Sequence, residues 1–289
     1  TAFFAWQIAV SIGSTMLTAA ALWRCLPRGA TRSTFQVPLL RSIGWFASGI
    51  SAISLTVLVL TQADKVLLSR VLPLETFGYY TLAGAVANGI TLLSAPVFTA
   101  FFPGFSQQVA TGDVEALTRS YHLACQLVSV IVLPVAVVLA LFSSEVLLLW
   151  TGSPATAGST HGILRLLVIG TTLNSLVVLP YALQLAHGWT RLALTGNALA
   201  ISVLIPAMVL LTRAYGATGA ALVWALLNAG YVLIQVHFMH RRLLPREKWR
   251  WYTQDLGLPL VACLIVAGVG LYFPFRSESS AGLAFRLCL

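Results

Sequence analysis

Two long apolar runs, residues 43–72 and 77–102, are separated only by the four residues 73–76. The first run contains an adjacent acid and base, Asp64 and Lys65. As a helix it would extend about 45 Å, longer than the ~30 Å hydrocarbon core of a bilayer. A charged side chain at that depth costs about 2.5–3.5 kcal/mol and usually faces a bundle interior or a watery cavity. The two runs therefore predict a membrane hairpin whose first helix carries charge in its second half.

The composition indicates a polytopic membrane protein. Hydrophobic residues make up 58% of the chain and charged residues 9%, whereas soluble domains have about 45–50% and 25%. The net charge of +9 does not indicate a nucleic-acid partner, because most basic residues lie in short loops between apolar runs. The four cysteines form no C-x-x-C pair, and we interpret them as small hydrophobic residues.

Eight apolar stretches are long enough to cross a membrane as helices, and a ninth begins near Ala281 and is cut short. We therefore predict an all-α, polytopic transmembrane helix bundle with about eight complete spans and a truncated ninth. Because the chain starts at Thr1 and stops inside an apolar run, we expect it to be a piece of a longer protein. The predicted spans are 3–23, 43–72, 77–102, 118–142, 160–186, 191–212, 217–239 and 256–275.

The basic residues predict the orientation of these spans. Alternate loops hold eleven basic residues on one side, namely Arg24, Arg28, Arg32, Arg41, Arg119, Arg191, Arg241, Arg242, Arg246, Lys248 and Arg250. The opposite side holds Arg70, Arg213 and Arg276. Since cytoplasmic loops carry the excess of Lys and Arg, we expect the basic stretches 24–42 and 240–255 to be cytoplasmic.

A polar stripe runs into the fourth span. Arg119, His122, Gln126 and Ser129 follow one another at helical spacing and so share a face. Such a stripe is typical of hydrogen bonding between membrane helices. The alternative is an anion-attracting surface at the inner entrance of a cavity, with Arg119 as a phosphate contact.

Other polar residues inside spans leave similar alternatives open. Asp64 and Lys65 either lie at the outer membrane interface or form a titratable or ion-paired site at the mouth of a cavity. Arg165 either extends to the interface or lines the cavity. Asn88 and Asn174 are interpreted as helix–helix hydrogen-bonding groups or as ligand contacts.

The sequence contains no pattern typical of catalysis. There is no Walker-type phosphate loop, no H-E-x-x-H, no G-x-S-x-G and no clustered carboxylate pair. The histidines are scattered without metal-ligand spacing. We therefore expect no enzyme activity, no catalytic residues, no metal site and no cofactor.

Five segments carry a resemblance to a known family. TQADKVLLSRVLPLETFGYYTLAG (61–84) and APVFTAFFPGFSQQVATGD (95–113) are followed by WTG (150–152), PYALQLAHG (180–188) and GATGAALVW (216–224). Together they resemble the Wzx-type O-antigen and polysaccharide flippases. These belong to the multidrug/oligosaccharidyl-lipid/polysaccharide exporter superfamily.

The resemblance implies a transporter of two six-helix lobes around a central cavity. By this likeness, residues 1–23 are the last helix of the N-terminal lobe and 24–42 a cytoplasmic basic linker. Residues 43–239 are then the C-terminal six-helix lobe, 240–255 a cytoplasmic basic connector, and 256–289 an incomplete C-terminal helix pair.

The resemblance also implies a substrate and a mechanism. The expected substrate is an undecaprenyl-diphosphate-linked oligosaccharide, an O-antigen or other polysaccharide repeat unit, which alternating access moves across the bacterial inner membrane. Expected partners are this lipid-linked oligosaccharide, membrane lipids and other polysaccharide-assembly proteins. The expected substrate contacts are Lys65, Arg119, Arg165, Gln126, Asn88 and Asn174, and the expected ion-coupling residues are Asp64 and His122.

Two other functions stay open from the sequence. A small-molecule or drug antiporter of the same superfamily would share this architecture. A membrane-embedded glycan polymerase or ligase is less favoured, because such enzymes generally need a sizeable outer loop with catalytic side chains. The longest predicted outer loop, 143–159, carries Glu145 and no base.

Overall fold

The computed structural model describes residues 2–25 and 37–272, and within these ranges every element is helical. The chain divides into two compact units, Thr1–Gly44 and Trp45–Leu289. The first unit contains helix α1 (Ala2–Cys25), and α2 (Val37–Val71) continues into the second unit. Most of the predicted basic linker and the truncated ninth span lie outside the described residues.

The second unit is a bundle of long helices joined by short turns. Seven helices of the described ranges are long and apolar enough to cross a membrane, which confirms the predicted all-α polytopic bundle. After α2 the elements are α3 (Leu74–Thr111), α4 (Val114–Leu141), α5 (Ser143–Thr151), α6 (Pro154–Ala186), α7 (Thr190–Gly230), a π-helical segment (Tyr231–Gln235), α8 (Val236–Leu243), the single turn α9 (Lys248–Arg250), a second π-helical segment (Trp251–Gly257) and α10 (Leu258–Tyr272).

The longest continuous stretch of helix, residues 190–243, contains a chain reversal. Gly216 adopts φ 60° and ψ −142°, a conformation open essentially to glycine alone. Three residues later, a Cβ at Gly219 would lie 2.1 Å from the Leu211 carbonyl oxygen, so the chain doubles back against itself. The two arms also meet far from the turn, where the Tyr231 hydroxyl donates to Asn197 Oδ1 over 2.8 Å. The stretch therefore supplies two crossings, as the predicted spans 191–212 and 217–239 require.

Replacing Gly219 with Ala should destabilise the bundle by about 1–3 kcal/mol, since backbone atoms must move to admit the methyl group. Thermal unfolding of the purified protein in detergent measures the loss. Gly89→Ala is the control, because nothing lies within 4 Å of its Cβ position in the middle of α3. Equal melting temperatures for the two variants would contradict the tight reversal.

Caps define the helix ends more closely than hydropathy does. The Asp113 carboxylate accepts the Ala116 N–H over 2.9 Å and so forms the N-cap of α4. Gly112 ends α3 in the left-handed conformation. Several predicted boundaries differ, and two of them change the number or length of the elements: α3 continues through Pro103 to Thr111, and residues 143–151 form α5 where a loop was expected. In α5, the apolar residues 146–150 follow a polar first turn and form a short helix of their own.

Helix α6 forms the centre of the second unit. It packs against α3, α4, α5 and α7, and Leu164, Leu179 and Leu183 are completely buried. A Cβ at Gly170 would lie 2.5 Å from the Trp224 ring, so glycine lets α6 and the second arm of α7 approach closely. Side chains on α6 and α7 therefore form a fixed wall facing α2 and α3.

The two ends of the bundle differ in charge. The α3–α4 turn, the α6–α7 turn and the loop after α8 lie at one end, where the Arg242 guanidinium sits 4.4 Å over the Trp189 ring. We call this the basic end. The α2–α3 turn, α5 and the Gly216 reversal lie at the opposite end, here called the distal end.

Candidate functional site

A polar cavity of about 440 Å³ opens between α2, α3, α6 and the second arm of α7. It lies toward the distal end, because Asp64 is seven residues, or about 10 Å, before the last residue of α2. Its polar lining residues are Thr61, Gln62, Asp64, Lys65, Tyr80, Thr81, Asn88, Thr171 and Trp224. The structure thus brings together three of the predicted site residues, Asp64, Lys65 and Asn88.

The acid and the base of α2 are held separately. The buried Tyr80 hydroxyl donates to Asp64 Oδ2 over 2.7 Å. Lys65 Nζ donates to the neutral amide oxygen of Gln62 over 3.3 Å. Within the described ranges neither charged side chain forms an ion pair. The ammonium is therefore available to a negatively charged ligand in the cavity.

The opposite wall is a chain of hydrogen bonds between α6 and α7. Trp224 Nε1 donates to Thr171 Oγ1 over 3.3 Å, which fixes the indole at the cavity surface. Asn228 is completely buried and donates to the Trp224 carbonyl over 2.8 Å. Asn174 donates to Asn228 Oδ1 over 2.8 Å. It therefore helps to fix Asn228 in position and does not itself line the cavity. An aromatic ring beside hydroxyl and amide groups suits a hydroxyl-rich ligand.

Replacing Tyr80 with Phe should destabilise the protein by about 1.5 kcal/mol, because the Asp64 carboxylate loses a hydrogen-bond donor. Thermal unfolding in detergent measures this effect. Tyr79→Phe is the control, since its hydroxyl donates to the exposed Glu75 one turn away and should change the stability by less than about 0.5 kcal/mol. A Tyr80→Phe variant as stable as the control would show that this bond does not hold Asp64.

A second polar group, which we call the His122 cluster, consists of His122, Gln126, Glu247 and Asp255. The two ring nitrogens of His122 contact Asp255 Oδ2 and, over 2.9 Å, Glu247 Oε2. Gln126 Nε2 donates to the other Asp255 oxygen over 2.9 Å. His122 and Asp255 are almost completely buried. The cluster joins α4 to the loop before α9 and to the second π-helical segment, at the basic end.

The remaining two predicted site residues lie outside both groups. Arg119 is exposed and forms a 3.1 Å ion pair with Glu115 one turn earlier on α4. Arg165 Nε donates to Ser143 Oγ over 2.9 Å and so connects α6 to the start of α5. Neither arginine lines the polar cavity. The predicted set is thus divided among the cavity, its supporting wall, the His122 cluster and two surface positions.

Several residues of these sites carried little signal in the sequence. Gln62 and Thr171 are uncharged, and single polar residues of this kind are common in membrane helices. Asp255 and Glu247 lie in a basic connector, where acids are ordinarily solvated partners of the surrounding arginines. Asp255 stands immediately before the predicted eighth span, and that position was the available indication that it could be buried.

The helices and the cavity define the chain as a multi-pass membrane protein. Residues 4–154 match the model of a family described as "Polysaccharide biosynthesis protein". This match covers more than half of the chain, which therefore belongs to that family. It confirms the resemblance to the Wzx-type polysaccharide flippases drawn from the sequence segments.

A curated relative gives a second comparison. The chain is 24% identical over 168 residues to a protein named "Putative O-antigen transporter" from Shigella flexneri. The similarity covers 58% of this chain and 39% of that relative, so the chain matches well under two thirds of the relative's length. No solved structure matches the chain.

Proposed function

We propose that this chain forms the C-terminal lobe of a transporter that moves an oligosaccharide linked to undecaprenyl diphosphate across the bacterial inner membrane. The observation that carries the proposal is the polar cavity, whose lining includes a lysine without an ion-pair partner among the described residues, a carboxylate and an indole, all on helices long enough to cross a membrane. The family membership and the relative's name support a polysaccharide-related cargo. The lobe corresponds to the predicted residues 43–239.

The cavity residues divide into three roles under this proposal. Lys65 binds the diphosphate, because within the described helices its ammonium has a neutral amide and no carboxylate as its partner. Asn88, Thr171 and Trp224 contact the sugars through hydrogen bonds and the indole face. Asp64 is the ion-coupling group, since its carboxylate has one side-chain donor and no cation in the described bundle.

The other predicted site residues act away from the cavity, and their roles stay predictions. Arg119 is exposed at the basic end, where it can meet a phosphate arriving from the cytoplasm. Gln126 and His122 couple α4 to the connector. Asn174 supports the cavity wall, and Arg165 connects α6 to the start of α5. By the positive-inside rule the basic end is cytoplasmic, so the cavity lies nearer the outer leaflet.

Transport by the full-length protein tests this proposal. Purified protein is reconstituted into vesicles with a fluorescent lipid-linked oligosaccharide, and the label is then quenched from outside. The proposal predicts that the quenched fraction rises above that of protein-free vesicles for the diphosphate-linked glycan. It also predicts that a cationic drug-like dye is not moved. Dye transport without glycan transport would favour the drug antiporter, and release of polymerised glycan would favour the polymerase.

A further inference from the structure

A second cavity lies beside α2, on a face next to the one that lines the polar cavity. This apolar groove has a volume of about 480 Å³ and runs between α2 and the first arm of α7. Its walls include Leu58 and Val66 of α2 and Ile205 and Met208 of α7. Gln62 lines both the groove and the polar cavity, so the two spaces adjoin at this side chain.

The groove is apolar along its length and carries a cation at one end, an arrangement that complements an anionic lipid. Arg70 lines it at the distal end, one residue before α2 ends at Val71. Gln62 lies eight residues earlier, about 12 Å deeper along the helix. In the part of the chain that the structure describes, the Arg70 guanidinium has no acidic partner. A cation thus stands at the interface above an apolar channel, where a lipid phosphate would lie above its hydrocarbon chain.

We propose that this groove is a lateral exit for the substrate, which holds the polyprenyl chain while Arg70 binds the diphosphate. The inference rests on the proposed function. An amphiphile that places sugars in the polar cavity and its lipid chain in hydrocarbon must pass between the two spaces, and they adjoin at Gln62. Arg70 lies five residues, or about 7.5 Å, beyond Lys65 toward the distal end. The diphosphate is therefore passed outward from Lys65 to Arg70 during release.

Site-specific photocrosslinking of the full-length protein tests the groove. A benzophenone amino acid is introduced at Val66, which is 58% exposed within the groove, or at Leu264 of α10, which is 50% exposed. Both proteins are placed in nanodiscs that contain phospholipid and the undecaprenyl-diphosphate oligosaccharide. We expect the polyprenyl lipid to crosslink at position 66 and bulk phospholipid at position 264.

Arg70 variants complete the test. Because hydrogen bonds to charged groups are strong, Arg70→Gln should reduce substrate crosslinking at position 66 about tenfold, and Arg70→Lys should retain most of it. Equal substrate crosslinking at both positions, phospholipid alone at position 66, or no dependence on Arg70 would overturn the exit groove.

Transport of the same lipid by the wild-type protein separates the two possible failures. If the protein transports the oligosaccharide but does not crosslink it at position 66, the groove assignment falls and the proposed function stands. If it does not transport the oligosaccharide, the proposed function falls, and the exit groove falls with it.

Discussion

Replacing Lys65 with Gln should lower export of the surface polysaccharide by about tenfold or more, while the full-length protein stays in the membrane at its normal level. The variant keeps a long polar side chain but removes the charge that faces the polar cavity. A charge-assisted contact to a diphosphate contributes about 1.5–3 kcal/mol, which corresponds to a tenfold to hundredfold change in binding. Gel analysis of surface polysaccharide in a strain that lacks its own transporter measures the effect.

Two further variants control this prediction. Lys65→Arg keeps the charge and should retain most of the export. Arg213→Gln removes an exposed charge near the Gly216 reversal at the same end, outside the cavity lining, and should leave export unchanged. Equal export by Lys65→Gln and Arg213→Gln would remove Lys65 from the substrate path.

Replacing His122 with Ala should destabilise the protein by about 3–5 kcal/mol, because it leaves the buried Asp255 carboxylate without the imidazole that pairs with it. The ring therefore links α4 to the connector through contacts with both carboxylates. Thermal unfolding in detergent and the amount of protein in the membrane both measure the loss.

The matched variants here are His161→Ala and the double substitution His122→Ala with Asp255→Leu. His161 is half-buried and contacts backbone carbonyls of its own helix, so its loss should be small. The double variant removes the buried charge together with its partner and should recover much of the stability. If the double variant is no more stable than His122→Ala, then ion pairing is not what holds the cluster.

Hydropathy was sufficient to predict the bundle, because each crossing must satisfy its own backbone within a local segment. The helix ends were less predictable. The extension of α3 through Pro103 depends on packing at the basic end, and α5 is too short to give a spanning signal. The chain reversal shows the opposite case. The predicted spans 191–212 and 217–239 already place a turn between them, and in the structure Gly216 and Gly219 lie at that turn.

The candidate site was most predictable where a charged or polar side chain stood out in an apolar run. Asp64 and Lys65 are conspicuous in an apolar run, and both line the polar cavity. The polar stripe of α4 gave His122 and Gln126 correctly as residues of one face, but their partner Asp255 is more than 120 residues away. No periodicity within a helix can indicate such a distant contact. For the same reason, the hydrogen bond between Asn174 and Asn228 could not be predicted from the sequence.

If the polar groups of α2 and α3 share a water-filled cavity, a thiol placed in that cavity should react with a water-soluble reagent, and cysteine labelling in membranes measures this. Maleimides react with thiolates, which form in water and not in hydrocarbon. In a full-length background without its native cysteines, Asn88→Cys in the cavity is compared with Leu264→Cys on the apolar surface of α10. We expect a membrane-impermeant maleimide to label position 88 rapidly, lipid-linked oligosaccharide to slow this labelling, and position 264 to stay unlabelled. Labelling at 264 with none at 88 would contradict it.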